Sequence, residues 1–257
     1  MKRIDLNCDM GESFGPWQMG RDAEIMPFIT SANIACGFHA GDPATIAETI
    51  ELAMRYGVSV GAHPGFPDMQ GFGRRTMSFT AGEVFDIVQY QVAAVKGMCE
   101  ARGGRLRHVK PHGALYNQAA KDMDLANAVA RAVASIDRSL VLYGLSGSSL
   151  LTAANEAGIA YSSEVFADRT YQPDGSLTSR TCGNALINDA ELAAQQVIGM
   201  VRDGRVAAYG GNVISIAADT ICIHGDAANA VEFARVIRNA LENNGISIRH
   251  PIYANDK

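Results

Sequence analysis

The chain has 257 residues, which is enough for two small domains or for one α/β barrel with a large core. Hydrophobic residues make up 47% and charged residues 19% of the sequence, as in ordinary folded proteins and unlike disordered ones. The formal net charge of −5, with no basic run to offset it, disfavours a nucleic-acid partner. No stretch is long and apolar enough to predict a membrane span.

The cysteines and the first residues of the chain bear on its compartment. Five cysteines occur without CxxC spacing, so we expect buried reduced thiols rather than disulfides or a zinc-thiolate site. The opening residues, MKRIDLNCD, become acidic and polar at once, which predicts no signal peptide. Together these features predict a cytoplasmic protein.

Strands and helices alternate along the first half of the chain. The predicted elements are a strand over 3–9, an irregular loop over 13–30 that leaves room for a short helix, a strand ending at Gly37, a helix over 43–56, a strand over 58–63, a glycine-rich loop over 64–75 and a helix from 80 to about 101. Asp42 is a suitable helix cap and Pro43 suits the first helical position, while Gly57 ends that helix. Thr80 and Glu83 form a capping box for the longer helix.

The second half continues the same alternation. Its predicted elements are a strand over 106–111, a helix over 122–135, a strand over 140–145, a helix ending at Gly158, a strand over 159–166, a helix from Asn188 to about 202, two strand-like runs over 213–216 and 220–224, and a helix over 227–242. This rhythm predicts a mainly parallel sheet with helical crossovers. Because no linker or change in composition divides the chain, we expect one domain over 1–257.

Ionisable residues recur at or just after the ends of the predicted strands. The candidates for catalysis are Asp9, His39, His63, Lys110, His112, Glu164, His224 and Asp226. In a β/α barrel these strand ends converge on one face, where active sites are built, whereas a doubly wound sheet spreads them along an edge. The sequence therefore predicts a TIM-like barrel with seven main strands. A single histidine at such a position is more often a hydrogen-bonded loop residue, so it is the set that indicates function.

Positive charge near these strand ends has two interpretations. Lys110 is costly to bury unpaired, so we expect it to meet an anionic ligand or to pair with Glu164 or an aspartate. From the sequence alone, Lys110→Ala is expected to reduce turnover while leaving thermal stability nearly intact. Arg74 and Arg75 are either a solvated pair or an anion clamp over the barrel mouth. The run over 144–149 leads from a strand into a helix and is a feasible phosphate cradle, although a simple strand–helix turn more often explains such a run.

Seven sequence blocks, in order from the first strand to the last, carry a resemblance to a known family. They are DLNCDMGE (5–12), NIACGFHAGDP (33–43), GAHPGFPD (61–68), GFGRR (71–75), VKPHGALYN (109–117), EVFADRTY (164–171) and DTICIHGD (219–226). In these blocks the chain resembles the LamB/YcsF family, whose characterised members are A subunits of prokaryotic ATP-dependent 5-oxoprolinases. The resemblance implies a β/α barrel related to polysaccharide deacetylases, which agrees with the prediction from the strands.

The resemblance also implies a reaction, which is the cleavage of 5-oxo-L-proline to L-glutamate coupled to ATP hydrolysis, with subunits B and C as partners. The sequence has no GxxxxGK[ST] loop, so ATP enters only through the resemblance. Phosphorylation of the lactam oxygen would require cations, for which Lys110, Arg74 and Arg75 are candidates, and Mg²⁺ on Asp9 or Asp226. The candidates for the base that activates water are His63, His112 and Glu164. The residues expected to bind substrate or phosphate are Asn7, Glu12, Arg74, Arg75 and Arg169.

Two other functions stay open at this point. A metal-dependent amide or sugar N-deacetylase would use Asp9, His39 and His63 as a carboxylate–imidazole metal site. A non-catalytic protein that binds a lactam or a sugar for a partner is the third. If partners exist, we expect them to contact the loops over 64–75 and 167–180, with Phe66, Phe72 and Tyr171 as exposed aromatic residues.

Overall fold

A computed structural model describes residues 2–225 and 229–251, and within them it shows ten strands and eight α-helices. The strands are β1 (Arg3–Met10), β2 (Ser31–Ala35), β3 (Ser59–His63), β4 (Leu106–Val109), β5 (Val141–Leu145), β6 (Ala160–Phe166), β7 (Arg205–Ala207), β8 (Val213–Ser215), β9 (Thr220–Ile223) and β10 (Ser247–Ile248). The helices are α1 (Asp22–Ile25), α2 (Pro43–Tyr56), α3 (Ala81–Glu100), α4 (Gly113–Ala119), α5 (Met123–Ile136), α6 (Ser149–Glu156), α7 (Ala190–Asp203) and α8 (Ala230–Asn243). One 3₁₀ turn (Met26–Phe28) follows α1.

Seven parallel strands close into a barrel in the order β1–β2–β3–β4–β5–β6–β9. The ring closes because β1 pairs with β2 on one side and with β9 on the other. Strands β7 and β8 form a separate antiparallel pair, and β10 pairs with the start of β1. The prediction of a TIM-like α/β barrel with seven main strands is confirmed.

The helix caps form as the sequence predicts. The Asp42 carboxylate accepts hydrogen bonds from the backbone N–H groups of Ala44 and Thr45 at the start of α2. Gly57 ends that helix in the left-handed conformation, at φ 67°. At the start of α3 the side chains of Thr80 and Glu83 each accept from the other's backbone N–H, which is the predicted capping box. These caps fix where each crossover helix begins and ends.

Strand β1 shows how the barrel separates its apolar layer from its polar interior. Side chains alternate across a strand, so Ile4, Leu6, Cys8 and Met10 share one face, and all four belong to the buried hydrophobic core. Burial of each such side chain stabilises the fold by roughly 1.5–3 kcal/mol. Residues 5, 7 and 9 share the opposite face and hydrogen-bond to other strands inside the barrel. The alternation therefore delivers a column of polar groups to the barrel interior.

Four local predictions differ from the structure. The predicted strand over 106–111 ends at Val109, and helix α4 follows it, although no helix is predicted there. This helix has only seven residues and no side-chain cap, so its sequence signal is weak. Helix α7 is capped by Asp189 rather than by Asn188, because the Asp189 carboxylate accepts from two backbone N–H groups. The very short strands β7 and β10 are not predicted, and the predicted start of the last helix at 227 lies outside the described residues.

The cysteines and the helices also bear on the predictions from composition. All five cysteines are free, and four are buried, as expected for reduced thiols. Cys182 is exposed, so the expectation of burial is wrong for this residue. None of the helices that the structure describes is long and apolar enough to cross a membrane.

Candidate active site

A cavity of about 480 Å³ opens at the carboxyl ends of the barrel strands. It is lined by eight of the predicted site residues, Asp9, Glu12, His63, Arg74, Lys110, His112, Arg169 and His224. In a β/α barrel this end of the strands is where catalytic residues collect. The volume suits a small organic molecule.

The other predicted site residues lie elsewhere. Asn7, His39 and Glu164 are buried and are not among the lining residues. Arg75 also does not line the cavity, and its guanidinium binds the carboxylate of Asp68 instead. Asp226 lies outside the described residues.

Lys110 is the centre of the cavity floor, and only 2% of its surface is exposed. Its Nζ lies 2.9 Å from Asp9 Oδ1 and 2.9 Å from Glu164 Oε1, so it pairs with an aspartate and with Glu164, as its burial predicts. It also donates to the thiol of Cys222 at 3.1 Å. Burial alone would lower the pKa of Lys110, but the surrounding carboxylates outweigh this effect and raise that pKa well above its usual value. The lysine is therefore a fixed positive charge.

Asp9 provides one of the carboxylates of this floor. Its Oδ2 lies 3.2 Å from His63 Nε2, and its Oδ1 accepts from Lys110 and from Asn33. Burial alone would raise the pKa of Asp9, but His63 and Lys110 outweigh it and hold that pKa well below its usual range. Asp9 is therefore an anion in contact with the cavity.

A buried network of amides and hydroxyls holds these charges in place. Asn7 donates to Glu164 Oε1 at 3.0 Å, and Asn33 donates to Asn7 Oδ1 at 2.8 Å. Tyr116 donates to the other oxygen of Glu164 at 2.6 Å. Both oxygens of Glu164 are therefore engaged, one by the buried Asn7 and one by Tyr116 of the cavity wall, and the lysine–carboxylate group is rigidly supported.

His63 and His112 contact one another through ring nitrogens. His63 Nδ1 lies 2.7 Å from the Lys110 carbonyl oxygen, and His112 Nε2 lies 2.8 Å from the Phe72 carbonyl oxygen. The remaining nitrogens, His63 Nε2 and His112 Nδ1, face each other at 2.9 Å. Burial, followed by the neighbouring His63, holds the pKa of His112 well below its usual value.

His39 packs behind this pair. Its ring stacks on that of His112 with centroids 3.8 Å apart and planes 2° from parallel. Its Nε2 lies 3.7 Å from Glu12 Oε1, and neither ring nitrogen has a hydrogen-bond partner. Burial, with the charges of the other two histidines, holds the pKa of His39 well below its usual value. The imidazole is therefore neutral at physiological pH.

Two groups of side chains bring potential metal ligands within 4.8 Å of one another. The first consists of Glu12, His39, His63 and His112, and the second of Asp9, Cys222 and His224. The set predicted from the sequence, Asp9, His39 and His63, is therefore divided between the two groups.

His224 lies on the opposite wall and forms a dyad with Asp168. The Asp168 carboxylate accepts from His224 Nδ1 at 2.7 Å, which leaves Nε2 as the acceptor. That nitrogen lies 2.9 Å from Arg180 Nη2 in the cavity wall. Burial alone would raise the pKa of Asp168, but His224 outweighs it and lowers that pKa below its usual value. A carboxylate that orients an imidazole in this way is a common arrangement for proton transfer.

The predicted anion-binding arginines differ in their surroundings. Arg74 lies over the Phe72 ring, 4.8 Å from its centroid, and reaches the cavity. Arg169 is buried, and its guanidinium donates to the carbonyls of Thr178 and Ala185. Burial, with the nearby positive charge of Arg180, lowers the pKa of Arg169 to about 10. Arg74, Arg169 and Arg180 all line the cavity and contribute positive charge to its wall.

The turn over 146–149 is a simple strand–helix turn. The Ser148 N–H donates to the Leu145 carbonyl, and the Ser149 N–H donates to the Ala120 carbonyl. Because both amides are already engaged, they are not available to cradle a phosphate.

Four residues of the site are not predicted from the sequence. Asn33, Tyr116, Asp168 and Arg180 each contact or line the site, yet none is among the predicted site residues. The first three fall inside motifs of the sequence, and Asn33 shares the inward face of its strand with Ser31. That alternation is the one signal that could have identified it.

The predicted partner surface needs a correction. Phe66 and Tyr171 are both fully buried, so they are not exposed aromatic residues of the mouth loops. The Tyr171 hydroxyl accepts from the Phe166 backbone N–H, which anchors its loop to the barrel. The exposed aromatic residue near the end of β1 is Trp17, with 70% of its surface accessible.

The fold and the cavity define a class of protein. It is a seven-stranded β/α barrel whose strand ends carry ionisable side chains around a cavity large enough for a small molecule. A sequence model of the LamB/YcsF family matches residues 4–256. The chain belongs to the LamB/YcsF family, which confirms the resemblance seen in its motifs.

Relatives of the chain are similar over nearly their whole length. A 5-oxoprolinase A subunit from Tolumonas auensis is 59% identical over 249 residues, which cover 97% of this chain and 99% of that protein. The crystal structure of a lactam utilization protein from Thermus thermophilus is 45% identical, with a TM-score of 0.91 over 96% of this chain and 99% of that one. The catalytic domain of a peptidoglycan N-acetylglucosamine deacetylase from Eubacterium rectale has 12% identity and a TM-score of 0.52 over 98% of this chain and 89% of that domain. This last likeness confirms the predicted relation in fold and shows the fold alone.

Proposed function

We propose that the chain is the A subunit of an ATP-dependent 5-oxoprolinase and opens 5-oxo-L-proline to L-glutamate. The observation that carries the proposal is the full-length similarity to proteins named as that component, at 59% identity for the Tolumonas auensis protein. The cavity supports it, because it is small, charged and located where barrel enzymes bind substrates. The protein acts in the cytoplasm as part of a complex with subunits B and C.

The positive charges of the cavity suit an anionic substrate. A lactam is stabilised by resonance, and transfer of a phosphoryl group from ATP to its oxygen, with release of ADP, makes the ring carbon open to attack by water. Arg74 and Arg169, which both line the cavity, would hold the phosphoryl group and the carboxylate of such a species. Lys110 at the floor would stabilise negative charge that develops on oxygen during the attack. Asp9, Asn7 and Glu164 position this lysine.

Proton transfer belongs to the His224–Asp168 dyad in this proposal. Water attacks the ring carbon and gives up a proton, and the ring nitrogen takes up a proton as its bond to that carbon breaks. A second water then hydrolyses the acyl phosphate and releases phosphate. His224 Nε2 can accept and return that proton, while Asp168 holds Nδ1–H. Glu164 is a poorer base because both its oxygens are engaged by side chains of the barrel interior and wall, and the acceptor nitrogens of His63 and His112 face each other. His224 Nε2 is contacted by Arg180, but this arginine is an exposed side chain of the cavity wall that a substrate can displace.

In this proposal ATP is the co-substrate of the complex, and Mg²⁺ is the counter-ion of its phosphates. The sequence has no GxxxxGK[ST] loop, and in the turn over 146–149 the backbone N–H groups of Ser146, Ser148 and Ser149 are engaged within the protein. We therefore assign most of the nucleotide contacts to the partner subunits, with Arg74 reaching the transferred phosphoryl group. The role predicted for Asp9 as a Mg²⁺ ligand is weakened by its contacts with Lys110 and His63.

The test is the release of glutamate and phosphate, measured in parallel with the chain, subunits B and C, ATP and Mg²⁺. We expect equal amounts of both products, and little product when any one component is omitted. His224→Gln in the complete mixture should abolish most of the turnover without preventing assembly. Glutamate release without ATP would overturn the reaction, and full turnover by this chain alone would overturn the role of the partners.

The partner surface can be tested separately with two exposed aromatic residues. Trp17 lies in the loop after β1, on the face that bears the cavity, whereas Tyr56 lies at the end of α2. We expect Trp17→Ala to weaken co-purification with subunits B and C at least tenfold, because exposed tryptophan is a frequent energetic centre of interfaces. Tyr56→Ala is the matched control and should leave assembly unchanged. Equal effects of the two substitutions would contradict this docking face.

A further inference from the structure

The facing nitrogens of His63 and His112 require a positive charge between them. A carbonyl oxygen only accepts, so the nitrogens that contact the Lys110 and Phe72 carbonyls must carry the protons. In two neutral rings the other nitrogens then present lone pairs to each other across 2.9 Å. Two lone pairs at that distance repel, so a proton or a metal ion must lie between or beside them.

The surroundings of His39 favour a metal ion over a shared proton. Only 1% of its surface is exposed, yet neither ring nitrogen has a hydrogen-bond partner. An imidazole left unsatisfied in the interior costs about 1–3 kcal/mol, which a shared proton on the other two histidines would not recover. Its Nε2 points to Glu12 Oε1 at 3.7 Å, and the same oxygen lies 3.7 Å from His112 Nδ1.

The chain packs closely around these rings. A Cβ atom at Gly65 would lie 2.7 Å from His39 Nδ1, so this position has room only for glycine. A Cβ at Gly73 would lie 2.8 Å from both His112 Cδ2 and His39 Cβ. The two glycines therefore let their loops approach the stacked imidazoles and fix their orientation.

We propose that Glu12, His39, His63 and His112 bind one divalent transition-metal ion of the zinc class. Each of the four residues offers one ligand atom within 4.8 Å of the others. The atoms that face one another are Glu12 Oε1, His39 Nε2, His112 Nδ1 and His63 Nε2, with Glu12 Oε1 3.7 Å from both His39 Nε2 and His112 Nδ1. Three imidazoles and one carboxylate form a donor set typical of Zn²⁺, Co²⁺ or Mn²⁺. The backbone carbonyls that hold the far N–H groups of His63 and His112 are the usual outer partners of metal-binding histidines.

The site lies at the edge of the cavity, because Glu12, His63 and His112 also line it. A bound ion would therefore sit beside Asp9, whose Oδ2 is 3.2 Å from His63 Nε2. Binding of an ion by these four side chains is independent of the reaction proposed above. Metal binding can be measured on the isolated full-length chain without substrate, ATP or partner subunits. A negative result there would therefore leave the proposed reaction untouched.

The experiment begins with chelator-treated wild-type protein, to which Zn²⁺ or Co²⁺ is added in a calorimeter. We expect one equivalent to bind, the melting temperature to rise with ion concentration, and Co²⁺ to give visible absorption bands of a nitrogen–oxygen site. Removal of a residue that only hydrogen-bonds to a metal ligand typically weakens metal binding by roughly 10–100-fold. His39→Ala and the isosteric Glu12→Gln each remove a ligand itself, so they should weaken binding by more than this. Circular dichroism shows whether each variant is folded, and Glu12→Gln keeps the volume of the site.

His224→Ala is the matched control, because His224 also borders the cavity but belongs to the other group of ligands. This variant should bind the ion with wild-type stoichiometry and affinity. Failure of folded wild-type protein to bind Zn²⁺, Co²⁺ or Mn²⁺ would overturn the proposal and leave a shared proton between His63 and His112. Loss of binding in His224→Ala with retention in His39→Ala would also overturn it, by placing the ion on Asp9, Cys222 and His224.

Discussion

Lys110 offers the sharpest test of how charge and stability are linked at the cavity floor. The sequence alone leads to the expectation that removing this lysine affects turnover and hardly affects stability. The structure changes the second half of that expectation, because Lys110 is buried between Asp9 and Glu164. Lys110→Met keeps most of the side-chain volume and removes the charge, so it isolates the electrostatic effect.

The magnitude follows from the two carboxylates that the lysine leaves behind. Removing one partner of a buried ion pair costs about 3–5 kcal/mol, since the remaining charge is left uncompensated. A typical protein is stable by about 5–15 kcal/mol, so the variant should lose roughly a fifth or more of its stability. For a chain of this size, roughly 2–4 °C per kcal/mol translates the loss into a melting temperature lower by about 6–20 °C.

Urea unfolding followed by circular dichroism measures this loss, with the denaturant slope as a check on two-state behaviour. The double variant Lys110→Met, Glu164→Gln removes one of the two carboxylate charges that the lysine leaves behind. The glutamine keeps one acceptor oxygen, which serves either Asn7 or Tyr116 but not both. The double variant should be more stable than Lys110→Met alone by at least about 1 kcal/mol, the coupling expected of contacting groups. Turnover in the assembled complex should be lost in both variants.

Two results would refute the reasoning. If Lys110→Met lowers the free energy of unfolding by less than about 1 kcal/mol, the buried carboxylates do not depend on this lysine for their charge. If the double variant is less stable than the single one, Glu164 supports the fold through its hydrogen bonds rather than through its charge.

Further predictions concern the dyad and the close packing of the barrel. Asp168→Asn should reduce turnover by roughly 10²–10⁴, because the amide no longer holds His224 in its accepting form, and assembly should be unchanged in a pull-down. Since the folded-state pKa of Asp168 is lowered, its contribution to stability is present above its unfolded pKa and is lost as pH falls through the folded value. The wild type should therefore lose its stability advantage over Asp168→Asn in acid unfolding curves; a constant advantage would argue against the pairing. Gly61→Ala should destabilise the barrel by at least about 1–3 kcal/mol, because the new Cβ would collide with the His108 ring, and His108→Ala in that background should recover part of the loss in a urea curve.

Much of the barrel could be predicted because its signals are local. Helix caps such as Asp42 and the Thr80–Glu83 box involve residues at most three positions apart, and they form as the pattern indicates. The sequence shows eight strand-like runs, and seven of them close the barrel, while the run over 213–215 pairs with β7 outside it. Short elements such as α4 could not be predicted, because they are held by the surrounding tertiary structure rather than by their own sequence.

The candidate site could be predicted only as a collection of strand-end residues. Sequence position identifies His39 and His63 as neighbours of a cavity, but it does not show that their partners are Glu12 and His112. That grouping depends on how far each loop folds back over the mouth, which is set by close contacts at positions such as Gly65. For the same reason Arg75, adjacent to a cavity residue in the chain, points to Asp68 instead.

The interior of β1 shows why the polar residues behind the cavity are as informative as those that line it. Asp5, Asn7 and Asp9 alternate on one face, and they form three levels of the barrel interior. The lowest, Asp5, accepts hydrogen bonds from hydroxyl groups such as that of Tyr143, at 3.1 Å, and its burial raises its pKa. The middle level joins Asn7 to Glu164, and the top level joins Asp9 to Lys110. A barrel needs only apolar side chains to fill its interior, so this column of polar groups costs stability unless each level supports the next. We therefore explain the column by what lies at its top, since it supports the charged Asp9–Lys110 pair at the cavity, where the proposed chemistry takes place.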